Sequence, residues 1–258
     1  METKEEIVRD WLSRYTGRRL ESFTPYILLC NFISYLRIFA KKYNVEIQGL
    51  DTPMPSVSYG NITIISFGMG SPNAATVIDL LSAIMPTAIL FLGKCGSLKN
   101  RLKVGDYLLP IAAIRGEGTG NDYFPPEIPS LPSFRILLAS SDALASQNIH
   151  FVAGTIYTTN RRVWEYDKQF KEYLTSTHAE GIDMETATLF TVSYANRIPL
   201  GALLMVSDAP MTPEGVKTEK NDQIVSDNFM EQHLNLGIAT IENLEEGRPR
   251  LKNIRFEW

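Results

Sequence analysis

Ala88-Ile-Leu-Phe-Leu-Gly-Lys-Cys-Gly-Ser-Leu98 joins five uncharged apolar residues to a glycine-punctuated segment carrying one lysine and one cysteine. A run without polar alternation fits a central strand buried on both faces, as in parallel sheets covered by helices. Immediately upstream, Asn61-Ile-Thr-Ile-Ile-Ser-Phe67 is strand-like, and Gly68-Met-Gly70 separates it from a helical pattern. There Ser71 can cap a helix whose first residue is Pro72, with Ala74, Val77, Ile78 and Leu81 on one face.

The same alternation extends in both directions. Tyr26–Leu29 reads as a short buried strand followed by a helix over Ser34–Tyr43. Downstream strands are expected at Asp106–Pro110, Phe151–Ile156 and Leu200–Val206, and helices at Lys4–Arg14, from Met184 to about Asn196, and from about Asp222 to Glu245. Interleaved strands and helices imply an α/β sheet covered on both faces, with ligands expected beyond the carboxyl ends of the strands. With 258 residues, no internal repeat and no long linker, one domain (residues 1–258) is expected, carrying a short helical extension over about residues 1–25.

Composition narrows the function classes. The 25 Lys and Arg against 29 Asp and Glu give a formal charge of -4, which disfavours long polyanions, so no nucleic acid partner is expected. Cys30 and Cys95 are too few for a disulfide framework or a Cys-rich metal site, and point to a reducing, cytoplasmic compartment. No segment approaches the roughly 20 apolar residues of a bilayer span, so no membrane association is expected. His150, His178 and His233 lack metal-ligand spacing, so no metal site is expected.

Four segments could carry chemistry. In Phe67–Asn73, glycines at a strand-to-helix junction let backbone approach a ligand, although a tight turn explains them equally well. In Leu92–Leu98, Lys94 or Cys95 could be reactive, but no adjacent His or Asp supplies a base, so a buried inert thiol in a Gly-rich turn is the better reading. In Gly181–Ala187, Asp183 and Glu185 bracket Met184 at a helix start, where they could cap the helix or accept hydrogen bonds from vicinal hydroxyls. In Met205–Pro210, Asp208 follows an apolar strand, where partial desolvation would favour its acid form and proton donation.

In this order the Gly-Met-Gly, Gly-x-Cys-Gly, and Met-Glu followed by Ser-Asp motifs resemble the purine nucleoside phosphorylase superfamily, which also contains nucleosidases. The resemblance runs from about Tyr26 to Glu245 and implies a three-layer α/β fold, a central mixed twisted sheet flanked by helices. Arg14–Gly17, Pro25–Leu28 with Asn31-Phe32, Tyr123–Pro129, Thr158–Glu165 and Ile182–Thr188 make the chain most similar to members that hydrolyse AMP to adenine and ribose 5-phosphate. The resemblance implies that Asp208 protonates N7 of the purine and Ser207 places it. Met184 would pack against the ribose and Glu185 would bind its hydroxyls, with Asp183 as a second acid. It also implies no cofactor and a homo-oligomer, a hexamer built as a trimer of dimers. Larger members carry an additional regulatory domain in front, so control through such a domain is not expected here.

Phosphorylases of this kind carry an Arg shortly before the Gly-x-Cys-Gly turn and a Ser at x; those places hold Phe91 and Lys94. Phe cannot grip a phosphate, which favours water as nucleophile, although Lys94 could still hold an anion such as phosphate. After Thr158-Thr159, Arg162 is the expected clamp for a 5′-phosphate, with Lys94 or Arg37 assisting. Thr159 and Gly70 complete the expected binding set. Asn31 could orient water but cannot deprotonate it, so no base is assigned. Phosphorolysis and a non-catalytic nucleotide sensor remain as alternatives. From Arg14 to Lys42, six basic residues face only Glu21, a region suited to one phosphate.

Overall fold

In the computed structural model the described residues are 3–212, 215 and 219–247, with backbone alone over 219–228. Eight strands form one mixed sheet: β1 (Tyr26–Cys30), β2 (Ser56–Tyr59), β3 (Ile62–Ser66), β4 (Ala88–Ser97), β5 (Tyr107–Gly116), β6 (Phe151–Thr159), β7 (Gly181–Asp183) and β8 (Leu200–Asp208). The order is β2-β3-β1-β4-β7-β6-β5-β8, and β8 also pairs with β4. β1, β3, β4 and β8 are mutually parallel neighbours, as are β5, β6 and β7. The two sets join antiparallel at β4–β7 and β5–β8. β4 therefore belongs to both an open sheet and a closed ring of five strands, which removes most exposed edges.

Among the described residues seven α-helices cover this sheet: α1 (Lys4–Thr16), α2 (Ile33–Tyr43), α3 (Ser71–Leu81), α4 (Phe134–Ser146), α5 (Lys168–Ser176), α6 (Thr186–Ala195) and α7 (Glu219–Glu245). Two large apolar cores make the layers, and a smaller cluster of Leu98, Tyr157, Trp164, Leu174, Ala179 and Ile182 lies under α5. One large core holds Val8 and Leu12 of α1, Val77 and Ile78 of α3 and Phe190 of α6. The other holds Leu36 and Phe39 of α2, Leu137 and Leu144 of α4 and Leu234 and Ile241 of α7. In β4, Ile89 and Phe91 enter the first core and Leu90 and Leu92 the second, which explains the run without polar alternation.

The structure lengthens the expected strands where the site will form. β4 continues through Gly93–Ser97, so the segment read as a turn is strand, with a register shift between Cys95 and Gly96 opposite β8. A Cβ at Gly96 would lie 3.0 Å from the Pro210 ring, tight enough that the ring would have to give way to any larger residue. α3 begins one residue earlier than expected: Gly70 (φ 93°) is the N-cap, and Ser71, instead of capping, donates its hydroxyl to Met184 O at 2.7 Å. β2, β7, α4 and α5 were not anticipated. The N-terminal α1 carries a capping box between Thr3 and Glu6. It docks on α3 through Val8 and Leu12, and Lys4 Nζ lies 2.7 Å from Asp79 Oδ1.

Candidate active site

The carboxyl ends of β1, β4, β6, β7 and β8 converge on one cavity, partly open to solvent. Ser207 and Asp208 reach it from β8, Lys94 from β4, Asn31 from beyond β1, and Asp183, Met184 and Glu185 from the β7–α6 junction. Thr159 and Arg162 come from the end of β6 and the loop after it. Residues up to 177 positions apart in sequence thus meet because the ring of strands brings its ends together.

Ser207 Oγ donates to Asp208 Oδ1 at 2.6 Å and lies 3.3 Å from Cys95 O, so its backbone position on β8 fixes one carboxylate oxygen. Glu185 is buried at the N-cap of α6, and its Oε1 accepts the Gly70 N–H at 2.7 Å. Gly70 therefore does not line the cavity; it holds a carboxylate that does. Burial pushes Glu185 above the ordinary carboxylate range, and the neighbouring Asp183 charge pushes the same way. The N–H groups of Gly70 and Met184 and the Arg162 charge pull it back only in part.

Asp183 is committed inside the protein. Its Oδ1 accepts Thr158 Oγ1 at 2.6 Å, and its Oδ2 accepts the Thr186 N–H at 2.8 Å and Thr186 Oγ1 at 2.5 Å. Burial raises its pKa against these bonds. Both carboxylate oxygens of Asp183, the expected second acid of the motif, are therefore engaged: it holds the first turn of α6 and orients the Met184–Glu185 pair. Asn31 Nδ2 similarly donates to Gly68 O at 2.7 Å, bracing the glycine loop. Cys95 is buried, and burial with the Asp183 and Asp208 charges holds its thiol far above the ordinary range, so it is no nucleophile.

The cations divide sharply. Lys94 Nζ stands 4.9 Å from the centre of the Phe32 ring at the cavity wall. Arg161 is drawn away by Asp167 Oδ2 at 2.9 Å and stacks over Phe170 at 5.0 Å. Arg162 Nη1 is 3.7 Å from Glu165 Oε1, beyond hydrogen-bond distance.

Arg37 does not join these cations within the chain. It sits on the exposed face of α2, opposite buried Tyr35, Leu36 and Phe39, and does not line the cavity, because the helical phase that buries those three turns it outward. The basic stretch around it is dispersed as well. Arg14 pairs with Asp10, Arg18 bonds Ser56 and Ser22, and Lys42 bonds Asn235. Phe91 is core, its ring centre 5.8 Å from that of Phe67.

Sequence reading gave no role to Phe32, Met69, Trp164 and Glu165, which also line the cavity. Met69 stood inside the quoted Gly-Met-Gly and Trp164-Glu165 inside the Thr158–Glu165 segment, so position in a motif was the available signal. Among the described residues, no group of His, Cys, Asp and Glu is gathered to hold a metal ion.

A family model described as the phosphorylase superfamily matches residues 31–242, a span that includes every strand but β1 and all the cavity residues. The chain belongs to the phosphorylase superfamily. Its mixed sheet with flanking helices is the nucleoside phosphorylase-type fold. The crystal structure of AMP nucleosidase from Bacteroides thetaiotaomicron is 58% identical, with a TM-score of 0.86, covering 95% of this chain and all of that one. AMP nucleosidase from Escherichia coli strain K12 is 29% identical over 93% of this chain, and this chain spans 59% of its length. A uridine phosphorylase from Vibrio fischeri shares the fold at TM-score 0.77 and 21% identity, covering 91% of this chain and 99% of that one. Within the superfamily, then, one fold carries both nucleosidase and phosphorylase members.

Proposed function

We propose that this superfamily member hydrolyses the N-glycosidic bond of AMP, releasing adenine and ribose 5-phosphate. One observation carries the reading: a single cavity joins a Ser207-held acid, a buried ribose-type carboxylate and an arginine beyond hydrogen-bond reach of its neighbouring carboxylate. Similarity to the two AMP nucleosidases supports it.

The chemistry follows from charge. Cleavage builds positive charge on the ribose and negative charge on the departing purine. Asp208 supplies the proton that neutralises the base, and ionised Glu185 binds the vicinal hydroxyls and faces the developing cation. Positioned acid catalysis of this kind contributes about 10²–10⁴ in rate, or roughly 3–5 kcal/mol of barrier. Met184 packs on the sugar, and Arg162, assisted by Lys94 and Thr159, takes the 5′-phosphate. An oxocarbenium-like transition state asks little of the nucleophile, so Asn31 at the cavity wall need only help to order water.

The proposal extends to organisation: one catalytic domain with the N-terminal α1 as its extension, a homohexamer built as a trimer of dimers, and cytoplasmic residence without a cofactor. Among the described residues no helix is long and apolar enough to cross a membrane.

Incubation with AMP in phosphate-free buffer tests the activity. Adenine and ribose 5-phosphate support it. Ribose 1-phosphate formed from a nucleoside only when phosphate is added establishes phosphorolysis instead, and AMP bound but intact after hours establishes a sensor.

A further inference from the structure

Around the reacting groups the cavity is lined by four carboxylates, Glu165, Asp183, Glu185 and Asp208, against three cations, Lys94, Arg161 and Arg162. Asp183 and Glu165 have no part in the chemistry above, and Asp183 is bonded internally to Thr158 and Thr186, which leaves Glu165 unassigned. Its side chain is 16% exposed. Oε2 accepts the Trp164 N–H at 2.9 Å, which fixes the carboxylate plane, while Oε1 faces Arg162 Nη1 at 3.7 Å. The separation leaves attraction without a hydrogen bond, so the guanidinium keeps donors for an incoming anion. Arg161 offers no such opening, because Asp167 and the Phe170 ring already engage it.

We propose that Glu165 lowers the affinity of Arg162 for every phosphate group, so that inorganic phosphate, with no other contact in the cavity, binds too weakly to stay while a nucleoside monophosphate is still held through its ribose and base. This rests on reading the cavity as a nucleoside monophosphate site. Glu165 screens Arg162 in the empty site and repels a dianion that approaches it. Inorganic phosphate has only the cations to set against that repulsion. AMP meets the same repulsion but adds its hydroxyls at Glu185 and its purine at Asp208. The device keeps free phosphate out of a cavity whose relatives include phosphorylases, and water stays the nucleophile.

The test is Glu165→Gln in the full chain, with inorganic phosphate titrated by calorimetry and AMP followed kinetically. Gln is isosteric and still offers an acceptor to the Trp164 N–H. The phosphate Kd is expected to fall about fivefold, the size expected of a half-exposed charge pair. The AMP KM should fall alongside it, with the change carried by KM, while the KM for adenosine stays put. In an Arg162→Ala background the same substitution should shift phosphate affinity by well under half as much. A phosphate Kd that is unchanged or higher in Glu165→Gln overturns the proposal, because Glu165 would then be holding Arg162 in place for the ligand. An equal shift in both backgrounds overturns its action through Arg162. Phosphate titration needs no turnover, so tighter phosphate binding by Glu165→Gln, with AMP left intact by wild type and variant alike, removes the hydrolysis reading and sustains this one.

Discussion

Gly70, the N-cap of α3, donates its backbone N–H to Oε1 of Glu185, the N-cap of α6, at 2.7 Å across 115 positions of sequence. Two helix starts therefore share one buried carboxylate, and the positive ends of both helices oppose the burial that disfavours its charge.

That opposition is incomplete, so Glu185 ionises above the ordinary carboxylate range. On the proposed reading the ionised form binds the ribose, so kcat/KM for AMP should rise with pH through a correspondingly displaced acidic limb. The measurement is a pH–rate profile for the wild type and Glu185→Gln. A wild-type limb in the ordinary carboxylate range near pH 4, or a Gln variant that retains the limb, contradicts the assignment.

The same shift has a stability consequence of definite sign. A carboxyl whose folded pKa is raised binds more protons in the folded state. Its stabilising contribution is complete below the unfolded pKa and is lost as pH rises through the folded one. Glu185→Gln should thus be more stable than the wild type at pH 8, with less difference at pH 4. Each kcal/mol relieved should appear as about 2–4 °C in Tm, read by thermal melts at both pH values.

Asp208→Asn should retain AMP binding and lose about 10²–10⁴ in kcat. Ser207→Ala removes one hydrogen bond to the acid and should cost kcat less, about tenfold. Near-native kcat in Asp208→Asn would sink the acid assignment.

Arg162→Ala should raise the AMP KM by about 10- to 100-fold, the range for losing a charge-assisted contact, while hydrolysis of adenosine changes little. Arg37→Ala, on the exposed face of α2, should leave both unchanged. Steady-state kinetics with the two substrates separate these cases; an unaltered AMP KM in Arg162→Ala removes it from the phosphate site.

Thr158 Oγ1 donates to Asp183 and accepts the Ala187 N–H at 2.9 Å. Thr158→Val should leave both partners short of a bond and cost about 1–3 kcal/mol, measured by urea unfolding. If stability and activity fall together, the network positions the site as well as the fold.

Much of this was legible before any coordinates. Apolar runs such as Ala88–Leu92 and helical faces such as Ala74–Leu81 report burial directly, because hydrophobic period is set by local geometry. β7 was missed because Gly181–Asp183 is three residues long and is a strand only by pairing with β4 and β6. α5 was missed because only Leu174 of its nine residues is buried. That Arg37 lies outside the cavity of its own chain was not legible, because charge along a sequence carries no information about which side of a helix it occupies.

The α/β layering and the residue types able to act follow from composition, periodicity and motif order, which are properties of the chain. Only the tertiary structure decided that Asp183 is internally bonded while Glu185 keeps a face to the cavity, that Phe91 is core, and that Arg162 faces Glu165 while Arg161 is spent on Asp167 and Phe170. The reason is physical. Hydrogen-bond commitment, burial and charge proximity depend on distances between residues far apart in the chain, and closure of the strand ring fixes those distances.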